Sequence, residues 1–232
     1  MQIRPEVYLI KGRASNLYLC ADDDGLALID AGMPGEQKLV LAEVERLGCR
    51  PDQLNRILVT HADIDHAGSL TALQETTGAR VFASSLTAQS LQRGRSPDHL
   101  PSLIQWFSNA FIRYRSPDPS SLEIIEDGEE IPVLGGLHAL ATPGHTLDHF
   151  SFYSPASGVL FAGDALHTRS DRLQRSAARI TADEAAANAS AIKLLELTPA
   201  VFACGHGQPK DDHKSDDLMI LFNQLRENDP LS

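Results

Sequence analysis

The sequence is short of the features that would tie it to a membrane, a disulfide framework or a nucleic acid. Within its 232 residues no apolar run approaches the roughly 20 that span a bilayer. There are three cysteines, Cys20, Cys49 and Cys204; none lies in a CxxC pair, and an odd number cannot all pair within one chain. That usage fits a reducing compartment and cysteines placed in the core. The opening "MQIRPEVYLIKG" lacks an apolar leader region and a small-residue cleavage site, and its alternation reads as a strand, so the expected location is the cytoplasm. Positive charge is also scarce: 20 Lys and Arg stand against 31 Asp and Glu, a net −11 that repels a phosphate backbone and argues against a nuclease or other nucleic-acid partner. No GxSxG elbow and no GxxxxGK[ST] loop occurs, so serine-hydrolase and nucleotide-dependent chemistry lose support.

What is present is ordered. Strand-like runs "EVYLIKG", "SNLYLCAD" and "GLALIDAG" open the chain, and the helical spacing of Leu39, Val40, Val44 and Leu47 follows, closed by Gly48. The strands "NRILVT" and "RVFAS" flank a second helix containing Leu70 and Leu73. The second half repeats the plan, with strands in "LEIIEDGEEIPVLGGLHALATPG", "HFSFYSP", "GVLFAGDAL" and "AVFACGHG" and helices in "ADEAAANASAIKLLEL" and "KSDDLMILFNQLREN". Strand runs closed by helices in each half imply two packed sheets with helices outside, an α/β arrangement. No Pro/Ser-rich linker divides the halves, so residues 1–232 are expected to form one domain. A Pro-bounded, aromatic stretch at about 92–119 reads as a helical insertion.

Histidine and aspartate recur at the predicted strand ends: Asp30 in "LIDAG", four residues of "THADIDH" (His61, Asp63, Asp65, His66), His145 in "TPGHT", Asp164 in "FAGDA" and His206 in "CGHG". Singly, each is ordinary, since an Asp after a strand is usually a helix cap or turn residue. Together, imidazoles and carboxylates delivered to one sheet edge describe a divalent-metal site.

In this order, and over nearly the whole chain, the motifs resemble the metallo-β-lactamase superfamily. The resemblance implies an αββα four-layer sandwich with two divalent metal ions in the cleft. His61, Asp63 and His145 would hold the first, Asp65, His66 and His206 the second, and Asp164 would bridge them. It also gives Asp30 and His149 as residues supporting the ligands, although Asp30 equally suits a turn anchor. The departure is Asp63, which stands where the family motif usually has a second histidine. A third carboxylate makes the two donor sets symmetric and, counted with a bridging hydroxide, the loaded cluster neutral instead of cationic. Zinc is the expected metal, with manganese or iron admitted by the harder oxygen donors; the shorter reach of Asp63 leaves open that it does not ligate.

The resemblance implies hydrolysis of a small ester, thioester or lactone by water activated on the metal, with Asp65 as the catalytic proton carrier. A non-heme iron redox enzyme, such as a persulfide dioxygenase or diiron protein, is a second reading, and a catalytically silent binding protein a third. His167 stands near the place where β-lactam-hydrolysing members carry a lysine, which counts against that substrate. Arg169, Arg172 and Arg175 recur three apart and would align if helical. The insertion adds Arg93, Arg95, Arg113 and Arg115 around Trp106, Phe107, Phe111 and Tyr114. These basic segments point to an anionic small molecule, with Arg169 as a candidate contact; the alternative is a solvated face, the aromatics serving the core or a homodimer. His99, His138 and His213 read as surface or turn residues.

Overall fold

A computed structural model describes residues 1–22, 24–111, 113–211 and 216–227; His213 lies outside them. Period-two patterning explains the layers. In the strand Asn16–Asp22, Leu17 and Leu19 enter one apolar cluster while Tyr18 and Cys20 enter another. A strand buried on both faces requires cover on both sides.

The first sheet has seven strands in chain order: Gln2–Arg4 (β1), Val7–Lys11 (β2), Asn16–Asp22 (β3), Gly25–Ile29 (β4), Leu54–Leu58 (β5), Arg80–Ala83 (β6) and Leu122–Ile124 (β7). Neighbours are antiparallel up to β4 and parallel from β4 to β7. The parallel crossovers carry the helices Gln37–Arg46 (α1), Ile64–Ala67 (α2), Leu70–Thr77 (α3), Ser85–Arg93 (α4) and Ser102–Phe111 (α5). The second half supplies Glu130–Ile131 (β8), Leu137–Ala141 (β9), Phe150–Ser154 (β10), Val159–Gly163 (β11), Leu166–Arg169 (β12), Arg172–Arg175 (β13) and Val201–Cys204 (β14), with helices Glu184–Glu196 (α6) and Asp216–Glu227 (α7). Its sheet runs β14-β11-β10-β9-β8, and β12 and β13 form a separate hairpin.

Three apolar clusters separate four layers. Val40, Val44, Leu70, Leu73 and Leu91 of the outer helices meet Leu17, Leu19, Leu26 and Leu28. Tyr18, Ile29 and Leu58 face Phe152, Phe161 and Val201 between the sheets. Leu160, Ala162, Phe202 and Cys204 meet Leu194, Leu195 and Leu225 on the far side. Each fully buried Leu or Phe contributes roughly 1.5–3 kcal/mol relative to exposure, so the alternation is strongly specified. This is the expected αββα sandwich.

Several details differ from the sequence reading. The segment after Asp164 is a hairpin in which Arg169 pairs with Arg172 and Leu166 with Arg175, so the three arginines share no helical face. The reason is local: Leu166 and Thr168 are buried at period two, and buried Leu173 pairs with Thr168 across the hairpin. Helix α4, with Ser84 accepting from the Thr87 amide at 3.0 Å and left-handed Gly94 closing it, extends through Arg93, so the start of the expected insertion belongs to a helix of the core layer. Within the remaining insertion the helix covers Ser102–Phe111. Trp106 and Phe107 are exposed there, whereas Tyr114 is buried. Cys20 and Cys204 lie in the core, but Cys49 is only half-buried.

Candidate metal centre

The carboxyl ends of parallel strands converge on one edge, where an α/β fold places its ligands. Asp30 follows β4 and His61 lies in the loop after β5. Asp164 follows β11 and His206 follows β14, while His145 comes from the β9–β10 loop. Asp63 occupies the N-cap position of α2, yet its side chain makes no capping bond. The carboxylate turns inward instead: its Oδ2 lies 3.4 Å from His61 Nε2 and 3.4 Å from His145 Nε2, with the side chain 12% exposed.

Asp164 stands between the two ends of the cluster. Its Oδ1 is 3.3 Å from His66 Nε2, and its Oδ2 is 3.0 Å from His206 Nε2 and 3.6 Å from His145 Nε2. Asp65 sits nearer the surface, its Oδ2 3.8 Å from His66 Nε2 and 3.6 Å from His206 Nε2. All seven sequence-derived ligand candidates are therefore brought together. Gly205 makes the close approach possible, since a Cβ there would collide with the Asp164 carboxylate and the His66 ring.

The imidazoles are aimed by what holds their other nitrogen. His66 Nδ1 bonds Asp30 Oδ2 at 2.8 Å, His61 Nδ1 bonds Thr60 Oγ1 at 3.0 Å, and His206 Nδ1 donates to the Ala14 carbonyl at 3.0 Å. Fixing Nδ1 leaves Nε2 to face the centre. Asp30, left-handed at φ 60°, also accepts from the Thr60 amide at 2.8 Å and the Thr60 hydroxyl, so it is both the turn residue and the orienting group for His66. His149 accepts the Asp164 amide at Nε2, 2.9 Å away, and its Nδ1 donates to Thr142 Oγ1 at 2.8 Å.

Buried polar atoms ordinarily find partners. Here, among the described residues, His61 Nε2, Asp63 Oδ1, His66 Nε2, both ring nitrogens of His145 and Asp164 Oδ1 are buried without a hydrogen bond. These orphaned atoms, nitrogen and carboxylate oxygen within one cluster, are the donors a divalent cation takes, so the residues fit a metal. Three ligand triads satisfy metal spacing: His61, His145 and Asp164; Asp65, His66 and His206; and Asp63, His99 and His145.

Electrostatics agree with that chemistry. Burial pushes the Asp63 carboxyl up, but the imidazoles of His145 and His61 that face it outweigh this and hold it below the usual carboxylate range. Asp164 is likewise held well below it, burial being overcome by His66 and His206. Burial lowers His66, and Asp164, Asp30 and Asp65 reverse this and raise it well above its ordinary value. His145 and His206 are raised against burial by Asp63 and Asp164 respectively. His149 is pushed well below by burial and by His61, which keeps it neutral, as an acceptor at Nε2 must be. A divalent cation takes ionised carboxylates and neutral imidazoles, so its binding to this set would release protons.

Sequence reasoning missed His99. Its side chain is 4% exposed, and Nε2 lies 3.2 Å from Asp63 Oδ2. It is neither a surface nor a turn residue in effect, because the insertion folds back over the ligand loop. His138, for its part, lies within β9 and is not in a turn. Asp148 was also missed: buried, it accepts from the Ala62 amide at 3.3 Å and the Thr87 hydroxyl at 2.8 Å, tying the His61 loop to α4. His167, on β12, is half-buried near Asp164 and His206, and burial lowers its pKa. Arg169 is exposed at the hairpin end. Arg172 and Arg175 pair with Asp217 and Glu184, and Arg115 with Glu75, which removes three of the cations proposed to meet an anion.

A four-layer αββα fold with a His/Asp cluster at the sheet edge defines a class of metal-dependent proteins. A family model described as the metallo-beta-lactamase superfamily matches residues 10–206, and the chain belongs to that family. It is 29% identical over 231 residues to "Probable metallo-hydrolase YflN" of Bacillus subtilis (strain 168), covering 91% of this chain and 88% of that protein. It is 31% identical over 170 residues to hydroxyacylglutathione hydrolase of Chromohalobacter salexigens, covering 68% of this chain and 53% of that one. Among solved structures, a metallo-beta-lactamase family protein from Thermus thermophilus superposes with TM-score 0.73 at 22% identity, covering 97% and 81% of the two chains. That last likeness shows the fold alone.

Proposed function

We propose that this protein is a dinuclear metal-dependent hydrolase of a small ester, thioester or lactone. The observation that carries the reading is the set of buried, unpartnered nitrogen and oxygen atoms on His61, Asp63, His66, His145 and Asp164. Zinc is the expected ion, with manganese or iron as alternatives favoured by the carboxylate at position 63. Bound divalent ions supply a water acidic near pH 7 and polarise the substrate carbonyl. Asp164 holds the two donor groups at one spacing, while Asp30, Thr60 and the Ala14 carbonyl keep the imidazoles in the tautomer that presents Nε2. Asp65, 22% exposed and beside His66 and His206, is the carboxylate that holds the proton removed from water and delivers it to the leaving group.

The substrate is a small molecule with an anionic part. A groove of about 260 Å³ between α4 and the Leu147 loop is lined by Arg93 and Arg95 as well as Asp98. Arg93 and Arg95, not Arg172 or Arg175, are the cations that would meet it. Hydroxyacylglutathione hydrolase in the relative's name supports a thioester first. We further infer a single cytoplasmic domain; among the described residues no helix is long and apolar enough to cross a membrane.

Elemental analysis followed by a screen of esters, thioesters and lactones tests the reading. Turnover of one class by protein holding two ions per chain is expected. Fully metallated protein that hydrolyses none of the three sinks it. The iron redox reading rests on Asp63 and requires a coloured, iron-bearing protein that consumes oxygen. Less than one ion per chain after reconstitution leaves a silent binding protein.

A further inference from the structure

The motif lacks its second histidine, and an imidazole from elsewhere in the chain occupies the neighbourhood. We propose that His99 is a ligand of the first metal position, restoring by tertiary placement the nitrogen that Asp63 removed from the motif. The inference rests on the metal site of the proposed function and not on its substrate.

Three observations converge. First, His99 has the wiring of His61, His66 and His206. Its Nδ1 donates to the Pro97 carbonyl at 3.1 Å, which leaves Nε2 as the free donor, 3.2 Å from Asp63 Oδ2. Second, the spacing suits coordination better than a charge-assisted hydrogen bond. Asp63 Oδ2 lies 3.4, 3.4 and 3.2 Å from the Nε2 atoms of His61, His145 and His99. Bonds of about 2.0–2.1 Å to one zinc ion set neighbouring donor atoms roughly 3–3.5 Å apart, whereas N–H···O bonds between charged partners shorten to about 2.7–2.9 Å. Asp63, His99 and His145 offer donor atoms that all lie within 4.8 Å of one another.

Third, the insertion is built to hold His99 there. The Gln105 side-chain carbonyl on α5 accepts both the His99 and Leu100 amides at 2.9 Å. Ser96 Oγ accepts the Ile64 amide at 3.0 Å, taking the capping role at the start of α2 that Asp63 leaves vacant. The Tyr114 hydroxyl donates to the Ala62 carbonyl at 2.8 Å. The segment from Ser96 to Tyr114 is thereby fastened to the ligand loop on both sides of Asp63.

The rival role is hydrogen bonding alone, with His99 donating to Asp63 while Asp63 ligates. Two variants separate the roles. His99→Gln can still donate to Asp63 but is a poor ligand; His99→Ala does neither. Metal-free wild type and both variants are titrated with zinc against a chromophoric chelator, then with cobalt(II), whose visible spectrum reports the donor set. The expected result is two ions in the wild type. In both variants one ion should stay tight, which also shows that the fold persists, while the other weakens about 100-fold, the upper end of what outer partners alone produce. The cobalt band should change in both. In an Asp63→His background the His99→Ala penalty should shrink, because the motif again supplies the nitrogen. Wild-type affinity in His99→Gln, or two unchanged ions in His99→Ala, overturns the assignment. A wild type that binds no ion overturns the metal reading and this inference with it. A wild type that binds two ions but hydrolyses nothing sinks only the proposed reaction.

Discussion

The two ends of the cluster are built differently. At one end, His66 and His206 are anchored by the core: Asp30 follows β4, and the loop bearing His206 is pinned to β3, where Asn16 donates to the Cys204 and Gly207 carbonyls and Tyr18 to that of Cys204. At the other end, His145 has no partner on its Nδ1 among the described residues, Asp63 makes no capping bond, and support arrives from the insertion through Ser96, His99 and Tyr114. One end is preformed by the fold; the other depends on a peripheral segment. Removing support should therefore act selectively, except at the residue common to both.

That residue is Asp164, and Asp164→Ala carries the largest expected effect. Its Oδ1 faces His66, and its Oδ2 faces both His206 and His145. Loss should lower metal content at both positions and reduce activity by at least about 1000-fold, some 4 kcal/mol of transition-state stabilisation. Unchanged metal content on elemental analysis would remove Asp164 from between the two groups and with it the shared-ligand reading.

The same contrast explains what the sequence revealed. The core-anchored residues were legible because short apolar strands are plain in the sequence and the functional residues stand at their ends: Asp30 after "LALI", Asp164 after "VLFAG", His206 after "VFACG". His99 was not, because nothing periodic precedes it. Its position is set by Gln105, Ser96 and Tyr114, bonds that link residues brought together only by folding. The arginine hairpin was misread for a simpler reason. Arg169 and Arg172 flank Ser170 and Asp171, both left-handed at φ 49° and 62°, and a two-residue turn gives the same count of three as a helical step. Asn-Gly would have announced such a turn; Ser-Asp does not.

Asp30→Asn should split the ends. Asparagine retains the shape but offers His66 Nδ1 only a neutral partner, so the orientation and basicity of that imidazole fall. Partners of this kind typically contribute 10–100-fold in metal affinity. The ion nearest His66 and His206 should weaken by about that factor, while the one nearest His61 and His145 shifts by less than about threefold. Zinc titration resolving two affinities checks this. Equal weakening of both would mean that Asp30 acts on the whole loop through Thr60 instead of on His66.

The smallest effect belongs to the converse variant, Tyr114→Phe. The ring keeps its place in the core, but the Ala62 carbonyl loses its 2.8 Å donor and the Arg95 carbonyl its 3.2 Å one. A buried acceptor left without its donor costs about 1–3 kcal/mol, which a denaturant midpoint can measure with the slope unchanged. Because Ala62 lies between His61 and Asp63, the loosened backbone should also weaken the ion at that end severalfold and leave the His66 and His206 end untouched. Asp30→Asn and Tyr114→Phe are thus opposite perturbations of one centre. If both variants weakened the same ion, the division between a core-built end and an insertion-built end would be wrong, and the ligand loop would have to be treated as a single rigid unit.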